Sequence, residues 1–545
     1  MSSKGGNPSE ESNTPDDAVL SNIRQILMDE GMENATFMFP AATLQAAEKS
    51  LYDVLGEKYP FLINQNVDSP VNNDTCFSNY YGRFKSIAND NYNAIESSLV
   101  SDPSQQKSSC IQAPPAPDQY LSIHYQTPQP SSEVFDKVLP FNSTEDGGGR
   151  MLHQSGKRKR KRVNKGDLVD MRALLMHCAE AVGGDDLKSA KELLSQIRQN
   201  SSPFGDGSQR LAHCFANALG ARLVGAGSGQ LYAALAAKKM SSIHILKACR
   251  LFISAFPFMR TSNFFVTQTI MDLAKKANRL HIIHFGIQFG SQWPGLIQRL
   301  SERPGGPPVL HITGVDFPQP GFQPTARAEE TGRRLANYCD RFHVPFEYNA
   351  IAQKWDTIQF QDLKIFRDEM VVVDCLYLFR YLLDETVVSS SPRNTVLKLI
   401  KRINPDVFIH GIINGSYNSP FFVSRFREAL YYFSAVFDMF EANAPREDQD
   451  RLVFEQEIYG KEVLNAIACE GVKRFERPET YKQWQVRNQR AGLKQLPLNG
   501  EVLKKVKAHV KLCYHKDFLV DEDGQWLLQG WKGRILFALS CWKTA

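Results

Sequence analysis

The sequence is short of the features that mark membrane, secreted or disulfide-stabilised proteins. No apolar run reaches about 18 uninterrupted residues, so no membrane span is predicted. The first residues are polar and lack the apolar core of a secretory signal. The 10 cysteines are scattered singly, with no Cys-x-x-Cys pair, which argues against a zinc ribbon and indicates a reducing compartment. We therefore expect a soluble intracellular protein.

Charge is distributed unevenly along the 545-residue chain, whose net charge is +5. Residues 1–150 hold 9 Lys and Arg residues against 20 Asp and Glu residues, a net charge of −11. The remaining residues, 151–545, therefore carry +16, and seven of these positive charges lie between Lys157 and Lys165. An acidic arm, a basic run and a mildly basic body point to nucleic acid or transport receptors as partners.

Residues 1–150 are predicted to form a disordered acidic arm. They are rich in Ser, Asn, Pro, Asp and Gly, and cannot bury enough apolar surface to offset an ordering cost of roughly 1–2 kcal/mol per residue. Two short amphipathic segments, 19–27 and 44–55, place apolar side chains at helical spacing. Such segments either fold into the groove of a partner or dock on the protein's own C-terminal domain, and the sequence leaves both open.

A run of six cations lies in the linker 151–166, directly after a glycine-rich stretch. Exposed cations in this arrangement can bind the acidic groove of an import receptor, so we predict a nuclear localisation signal and a nuclear protein. The alternative is a solvated charge run at a domain boundary. The six residues are Lys157, Arg158, Lys159, Arg160, Lys161 and Arg162.

The folded domain is predicted to span residues 167–545 and to begin with a helical part, mainly 167–260. Apolar residues recur at 3-4 spacing from Leu168 to Val182, and Asp167 is placed as the N-cap of this first helix. We interpret the helical part as a bundle, with a dimer seam on its outer face as the second interpretation. Four more helices follow the same rhythm, over 187–197, 211–223, 231–240 and 243–256.

From Leu280 onward, short apolar runs alternate with helical patterns, which predicts a parallel sheet with crossover helices in a core that is mainly 261–545. Two last runs, 518–526 and 534–539, predict antiparallel strands that close one edge. The expected fold class is α/β, a Rossmann-like, methyltransferase-like doubly wound sheet with an α-helical cap, preceded by a disordered N-terminal arm. The predicted parallel strands are 280–285, 309–316, 345–351, 370–374 and 406–411.

Signatures of enzymes are missing or weak. There is no G-x-S-x-G turn and no G-x-x-x-x-G-K-[ST] loop. The loop 286–294 has two glycines four apart instead of G-x-G-x-x-G, and bulky Phe289 stands where a phosphate needs close approach to the backbone. Asp316 is placed to contact a ribose, but His284 ends the strand where methyltransferases usually have an acid. We predict no catalytic residue and no cofactor; a small-molecule-binding, methyltransferase-like protein is the minor alternative.

Three histidines of the predicted sheet are candidate metal ligands. His281 and His284 are three apart on one strand, so their side chains face opposite sides and cannot chelate together. His281 and His311 can face one another from neighbouring strands, but the sequence offers no Cys or carboxylate that completes a ligand set. We therefore predict no metal site, and core histidines that are satisfied by backbone groups.

Five motifs in register resemble the GRAS family of scarecrow-like proteins, over roughly residues 168–545. Leu168–Gly225 resembles its first leucine-rich region and 312–355 its second. The other three are similar to the motifs called VHIID, PFYRE and SAW. The VHIID-like residues are His281, Ile282, Ile283, His284, Gln292, Trp293 and Pro294. The PFYRE-like residues are Pro405, Phe421, Arg425, Phe426 and Glu428, and the SAW-like residues are Trp526, Trp531, Arg534, Ser540 and Trp542.

Two positions depart from the family pattern. The Asp that usually ends VHIID is His284 here, so any role of that carboxylate does not carry over. The Ala of SAW is Cys541, a small-for-small change that costs little in packing. The acidic arm and the segment 410–416 are similar to a scarecrow-like subgroup related to a lily meiotic regulator.

The resemblance implies a plant nuclear protein that regulates transcription through complexes with DNA-binding transcription factors, without an enzymatic role. It also suggests other GRAS proteins, or a second copy of the chain, as partners. The alternative is a factor that binds DNA directly through a basic groove of the GRAS domain, because the body beyond residue 165 carries about +9. No helix-turn-helix or zinc-finger spacing supports base recognition, so we favour the co-regulator.

Overall fold

The computed structural model describes residues 170–224, 242–319 and 323–545. The acidic arm (1–150), the linker (151–166) with its six cations, and the helix predicted over 231–240 lie outside the described residues. The hypotheses about these three segments therefore stay predictions.

Three helices open the described part of the domain: α1 (Met171–Gly183), α2 (Leu187–Asn200) and α3 (Gly207–Leu223). An aspartate side chain caps each of them by accepting backbone N–H groups of the first turn; the caps are Asp170, Asp186 and Asp206. The cap of the first helix is thus Asp170 and not the predicted Asp167, because α1 starts at Met171.

Ten further α-helices follow in the part of the chain that the structure describes. They are α4 (Ser242–Ala255), α5 (Phe258–Leu273), α6 (Trp293–Ser301), α7 (Ala326–Arg341), α8 (Pro392–Ile403), α9 (Phe422–Asn443), α10 (Gln449–Val453), α11 (Gly460–Ala468), α12 (Tyr481–Arg490) and α13 (Gly500–Cys513). A π-helical turn, Phe454–Tyr459, joins α10 to α11. None of the described helices is long and apolar enough to cross a membrane.

A nine-stranded sheet forms the centre of the α/β part. Its strands are β1 (Arg279–Phe285), β2 (Val309–Asp316), β3 (Phe346–Ala352), β4 (Met370–Leu376), β5 (Val407–Ile413), β6 (Leu493–Gln495), β7 (Phe518–Asp523), β8 (Trp526–Trp531) and β9 (Arg534–Thr544). The order is β3-β2-β1-β4-β5-β9-β8-β7, with β6 paired to β9. Strands β1 to β5 are parallel, and helices cover both faces. The predicted doubly wound α/β class is confirmed.

The antiparallel end of the sheet differs from the prediction. The run 518–526 is not one strand, because the chain reverses at Gly524, where φ is +60°. Strand β9 lies between β5 and β8, inside the sheet and not at its edge. Its residues 536–542 are all buried, which requires cover on both faces. The edge strand at this end is β7.

The helical cap draws on two distant parts of the chain. Helices α9 and α11 pack against α3. Phe215 of α3 meets Phe426 of α9 edge to face, with ring centroids 5.3 Å apart. Arg210 of α3 pairs with Glu455 at 2.8 Å and with Glu441 at 2.7 Å. Residues beyond 420 therefore complete a cap that the sequence predicted mainly over 167–260.

Residues of β1 alternate between two cores, one on each face of the sheet. Ile282 lies in the core shared with α3, α6, α7 and α9, whereas Ile283 lies in the core shared with α8. His281 and His284 consequently point to opposite faces, as predicted.

Candidate functional site

The carboxyl ends of parallel strands are where α/β proteins of this class hold their ligands. At this edge His284 of β1 and Asp374 of β4 are direct partners in register. The Trp293 indole N–H donates to His284 Nδ1 at 2.9 Å, which leaves the imidazole proton on Nε2. That Nε2 lies 3.5 Å from Asp374 Oδ2, to which Gln292 Nε2 donates at 3.0 Å. Two VHIID-like residues, His284 and Gln292, thus approach one buried carboxyl group, and a third, Trp293, orients the imidazole.

Burial determines the charge of this cluster. It raises the pKa of Asp374 to about 7 and lowers the pKa of His284 to about 3. Below pH 7 the cluster therefore holds a neutral acid beside a neutral imidazole rather than an ion pair. Asp374 Oδ1 is buried without a hydrogen-bond partner among the described residues. Sequence reasoning missed Asp374, because an acid at the end of an apolar run carries no motif of its own.

Side chains close the loop after β1 from two sides. Gly286 has a φ of +96°, and a Cβ there would lie 2.1 Å from Leu378 Cδ1. Gly290 has a φ of +67°, and a Cβ there would lie 2.7 Å from Thr331 Cγ2. The Thr331 hydroxyl also donates to the Gln288 carbonyl oxygen at 2.6 Å. Leu378 and Thr331 therefore occupy the space that a phosphate would need over this loop.

Asp316 ends β2, as predicted, where a ribose-binding carboxylate would lie. Its two oxygens accept a bidentate pair of hydrogen bonds from Arg327, both at 2.8 Å. The Phe317 backbone N–H donates to the same carboxylate at 2.8 Å. Because Asp316 is buried, a ribose hydroxyl would bind it only by displacing Arg327.

Glu369 is the carboxylate partner of His281 and His311, which the sequence alone did not reveal. His281 Nδ1 lies 2.9 Å from one oxygen of Glu369, and His311 Nδ1 lies 3.0 Å from the other. The two rings stack with centroids 3.7 Å apart, and His281 Nε2 is 2.8 Å from the Thr313 hydroxyl. The predictions that no carboxylate is available and that backbone groups satisfy these histidines are wrong. Glu369 directly precedes β4, and only the parallel register of β4 beside β1 brings it here.

His281, His311 and Glu369 are of the types that bind transition metals, so their fit to an ion needs a test. Both Glu369 oxygens already accept hydrogen bonds from the imidazoles, and the Phe366 N–H and Arg279 guanidinium approach them at 2.9 and 3.4 Å. An ion would have to displace two imidazole protons beside a guanidinium. These three residues therefore fit a hydrogen-bonded cluster better than a metal site. We call this cluster of His281, His311 and Glu369, at the edge of the sheet where the parallel strands begin, the clamp.

The pKa values agree with this clamp. Burial and the neighbouring His311 lower the pKa of His281 to about 4. Burial favours the neutral form of Glu369, but hydrogen bonds from Phe366 N–H and His311 hold its pKa below the usual range. At neutral pH the clamp is therefore a carboxylate, Glu369, beside a neutral His281 imidazole.

The PFYRE-like residues anchor the helical cap. Arg425 is fully buried; it donates to the carbonyl oxygens of Ala466 at 2.8 Å and Ser419 at 3.0 Å, and it pairs with Glu470. These contacts join the start of α9 to the end of α11. The remaining residues of this motif range from buried to exposed: Pro405 and Phe426 are buried, Glu428 is half-buried, and Phe421 is 75% exposed.

The SAW-like residues tie the antiparallel strands together. The Trp542 indole N–H donates to Ser540 Oγ at 2.7 Å within β9. The Trp531 indole N–H donates to Asp438 Oδ2 at 2.7 Å and so joins β8 to α9. Arg534 lies 3.6 Å over an aromatic ring of α9. The three tryptophans of this motif are buried: Trp526, Trp531 and Trp542.

The VHIID-like residues are mostly internal as well: His281, Ile282, Ile283, His284, Trp293 and Pro294 are buried, and Gln292 is half-buried. The same span of the chain, residues 171–543, matches the model of the GRAS domain family. The chain belongs to the GRAS family. This is a family of plant transcriptional regulators. The GRAS motifs of this chain thus mark the packing of the sheet, the loop after β1 and the cap.

Curated GRAS relatives extend the similarity. The chain is 41% identical to Scarecrow-like protein 33 of Arabidopsis thaliana, over 96% of its own length and 91% of that protein. It is 56% identical to Scarecrow-like protein 9 of the same plant over 70% of its own length, but spans only 52% of that relative, about half of its length. The crystal structure of SCL7 in Oryza sativa covers 69% of this chain and 99% of its own, with 27% identity and a TM-score of 0.60. The predicted resemblance is confirmed.

Proposed function

We propose that the chain is a nuclear regulator of transcription that works mainly as a co-regulator, in complexes with DNA-binding factors, and that it has no catalytic activity. The observation that supports this best is the filled carboxyl edge of the sheet. Leu378 covers Gly286, and Arg327 engages both oxygens of Asp316. A nucleotide cofactor would have to displace both side chains before it could bind, so the domain is suited to binding macromolecules.

Exposed apolar side chains on the helical cap support contacts with partners. Single exposed apolar residues are common, but several of these lie on cap elements and their connections. The partners that we propose are DNA-binding transcription factors, other GRAS proteins or a second copy of the chain. The exposed fractions are 54% for Leu187, 51% for Phe204, 75% for Phe421 and 61% for Val472.

Nuclear entry is proposed to depend on the six cations between Lys157 and Arg162. Six consecutive positive charges favour an import receptor because its acidic groove takes an extended basic segment. The alternative function, direct DNA binding, is favoured by the net charge of about +9 beyond residue 165.

Binding of the full chain to duplex DNA separates the two functions. The dissociation constant is measured by fluorescence anisotropy over a series of salt concentrations, with random-sequence and plant-promoter duplexes. The co-regulator predicts weak binding without sequence preference, and a salt slope that corresponds to only a few phosphate contacts. Tight, sequence-selective binding at physiological salt would instead establish a DNA-reading factor and refute the co-regulator proposal.

A further inference from the structure

Buried arginines gather where the segment after β5 meets the turn Gly471–Lys473. Arg393 pairs with Glu479 at 2.8 Å, and Arg477 pairs with Asp384 at 3.4 Å. The third member of the group, Arg425, pairs with Glu470, as described above. Each of these three guanidinium groups therefore has a carboxylate partner. The four buried arginines of this group are Arg393, Arg425, Arg474 and Arg477.

Arg474 differs from the other three. Its side chain is only 2% exposed, and Nη1 donates to the Asn418 side-chain oxygen at 3.1 Å. Among the described residues, Arg474 Nε has no hydrogen-bond partner, and no carboxylate lies within ion-pair distance of the Arg474 guanidinium. The two carboxylates whose charge favours the protonated form of Arg474, Glu470 and Asp384, already pair with Arg425 and Arg477. Arg474 is thus a buried cation held by a single neutral acceptor.

A buried charge without a counter-charge is strongly unfavourable, so this arrangement calls for an anion. Burial and the neighbouring Arg425 and Arg477 lower the pKa of Arg474 to about 9, which still leaves it charged at neutral pH. Arg222 joins the group through Glu470 at 2.8 Å. Arg487 joins it through Glu479 at 2.8 Å and adds Glu385 at 3.0 Å. The group then holds six guanidinium groups against four carboxylates. The surplus of two positive charges matches a dianion better than a single carboxylate.

We propose that Arg474 is the base of an anion site that takes a phosphate monoester dianion, supplied by free phosphate or by a phosphorylated side chain. The planar guanidinium can donate from Nε and Nη to two oxygens of one phosphate. The exposed turn Gly471–Lys473 lies directly before Arg474, whose backbone N–H donates to the Gly471 carbonyl oxygen at 3.3 Å. This turn has to lift for a ligand to enter, which breaks the hydrogen bonds that the Gly471 carbonyl oxygen accepts from Arg477 Nη2 at 2.9 Å and the Lys473 carbonyl oxygen accepts from Asn465 Nδ2 at 3.0 Å.

The surroundings of the site favour a phosphate carried on a peptide. Val472 of the turn is 61% exposed, and Phe421, which follows the segment that Arg425 binds, is 75% exposed. Apolar side chains beside a phosphate site can hold the residues that flank a phosphoserine or phosphothreonine. The proposal does not depend on whether the chain acts as a co-regulator or as a DNA-reading factor.

The first test compares thermal unfolding of the full chain in sodium phosphate and in sodium chloride of equal ionic strength. The variant Arg474→Met keeps the side-chain length and removes the charge, and Arg333→Met, a 72% exposed arginine of α7, is the matched control. Phosphate is expected to raise the melting temperature of the wild type and of the control by several degrees more than that of Arg474→Met, which reports only the general stabilising effect of this salt. An equal rise in Arg474→Met, or no rise in the wild type, would overturn the site.

The second test measures binding of a fluorescent phosphoserine peptide and of its serine counterpart by anisotropy. Arg474→Met should weaken phosphopeptide binding at least tenfold. If that variant fails to fold, Arg474→Lys keeps the charge without the guanidinium fork and should show a smaller phosphate response than the wild type. Stabilisation by phosphate without phosphopeptide binding assigns the site to the free anion. Competition by duplex DNA that depends on Arg474 would overturn the phosphate-monoester assignment, because DNA presents diesters.

Discussion

Asp374 carries a buried carboxyl group whose protonation changes near neutral pH. Its pKa in the folded protein is about 7, against a usual value of 3.8. Because the folded pKa is the higher one, the acid form stabilises the fold fully below about pH 4. This contribution is lost as the pH rises to about 7. Replacing Asp374 by an uncharged residue of the same shape should remove this pH-dependent loss of stability.

We expect Asp374→Asn to gain stability relative to the wild type as the pH rises, and its advantage to be roughly 2–3 kcal/mol larger at pH 8 than at pH 5. Urea unfolding of both proteins at both pH values measures the difference in their free energies of unfolding. Because both proteins have the same histidines, the titration of these residues cancels in that difference. The control is Asp368→Asn, a 73% exposed acid that should show no such trend. The same stability difference at both pH values would contradict the assigned protonation of Asp374.

Glu369 holds two stacked imidazoles with its two oxygens. In Glu369→Gln one oxygen becomes an NH2 group that faces an imidazole N–H, so a buried donor loses its acceptor. We expect a loss of about 2–3 kcal/mol in the free energy of unfolding. Glu347→Gln is the matched control, because Glu347 also pairs with Arg279 but is 44% exposed. Similar unfolding free energies for the two variants would show that the clamp adds nothing to stability.

At the scale of elements, the loop between β1 and α6 packs closely against neighbouring side chains because two of its residues are glycines. Gly286→Ala would bring a methyl group against Leu378 and would strain a φ of +96°, so we expect a loss of about 2–3 kcal/mol. Hydrogen exchange should also be faster in this loop. Gly305→Ala has nearly the same φ, +90°, and no atom within 4 Å of its Cβ, so it should lose only about 1 kcal/mol. Equal losses would mean that Leu378 does not close the loop.

The strands of the parallel sheet could be predicted from the sequence because each is buried on both faces and therefore forms an apolar run. Helices α1 to α3 were predicted from their apolar spacing. Glu369, Arg327 and Leu378 were missed, because each lies on another element and reaches the site only through the order of the strands. The position of α9 in the cap was missed for the same reason: its sequence shows that it is helical, but not which helix it packs against.

At the scale of the whole molecule, the acidic arm and the folded domain are joined by the basic linker. Alanine at all six positions from Lys157 to Arg162 should shift a fluorescent fusion of the full chain from the nucleus to the cytoplasm, with most of the nuclear signal lost, because the import receptor loses its cationic contacts. The control replaces the exposed Lys188 and Lys191 of α2, which lie outside the run. Nuclear accumulation equal to that of the control would eliminate the run as the import signal.

The order of the strands has a consequence for how the protein is made. Among the strands of the described sheet, β9 is synthesised last, yet it pairs with both β5 and β8. Until residues 534–544 are available, β5 and β8 each present an unpaired edge, and the apolar residues that cover β9 on both faces stay exposed. We therefore expect the nascent chain to be prone to aggregation until β9 has been synthesised and has paired with both strands.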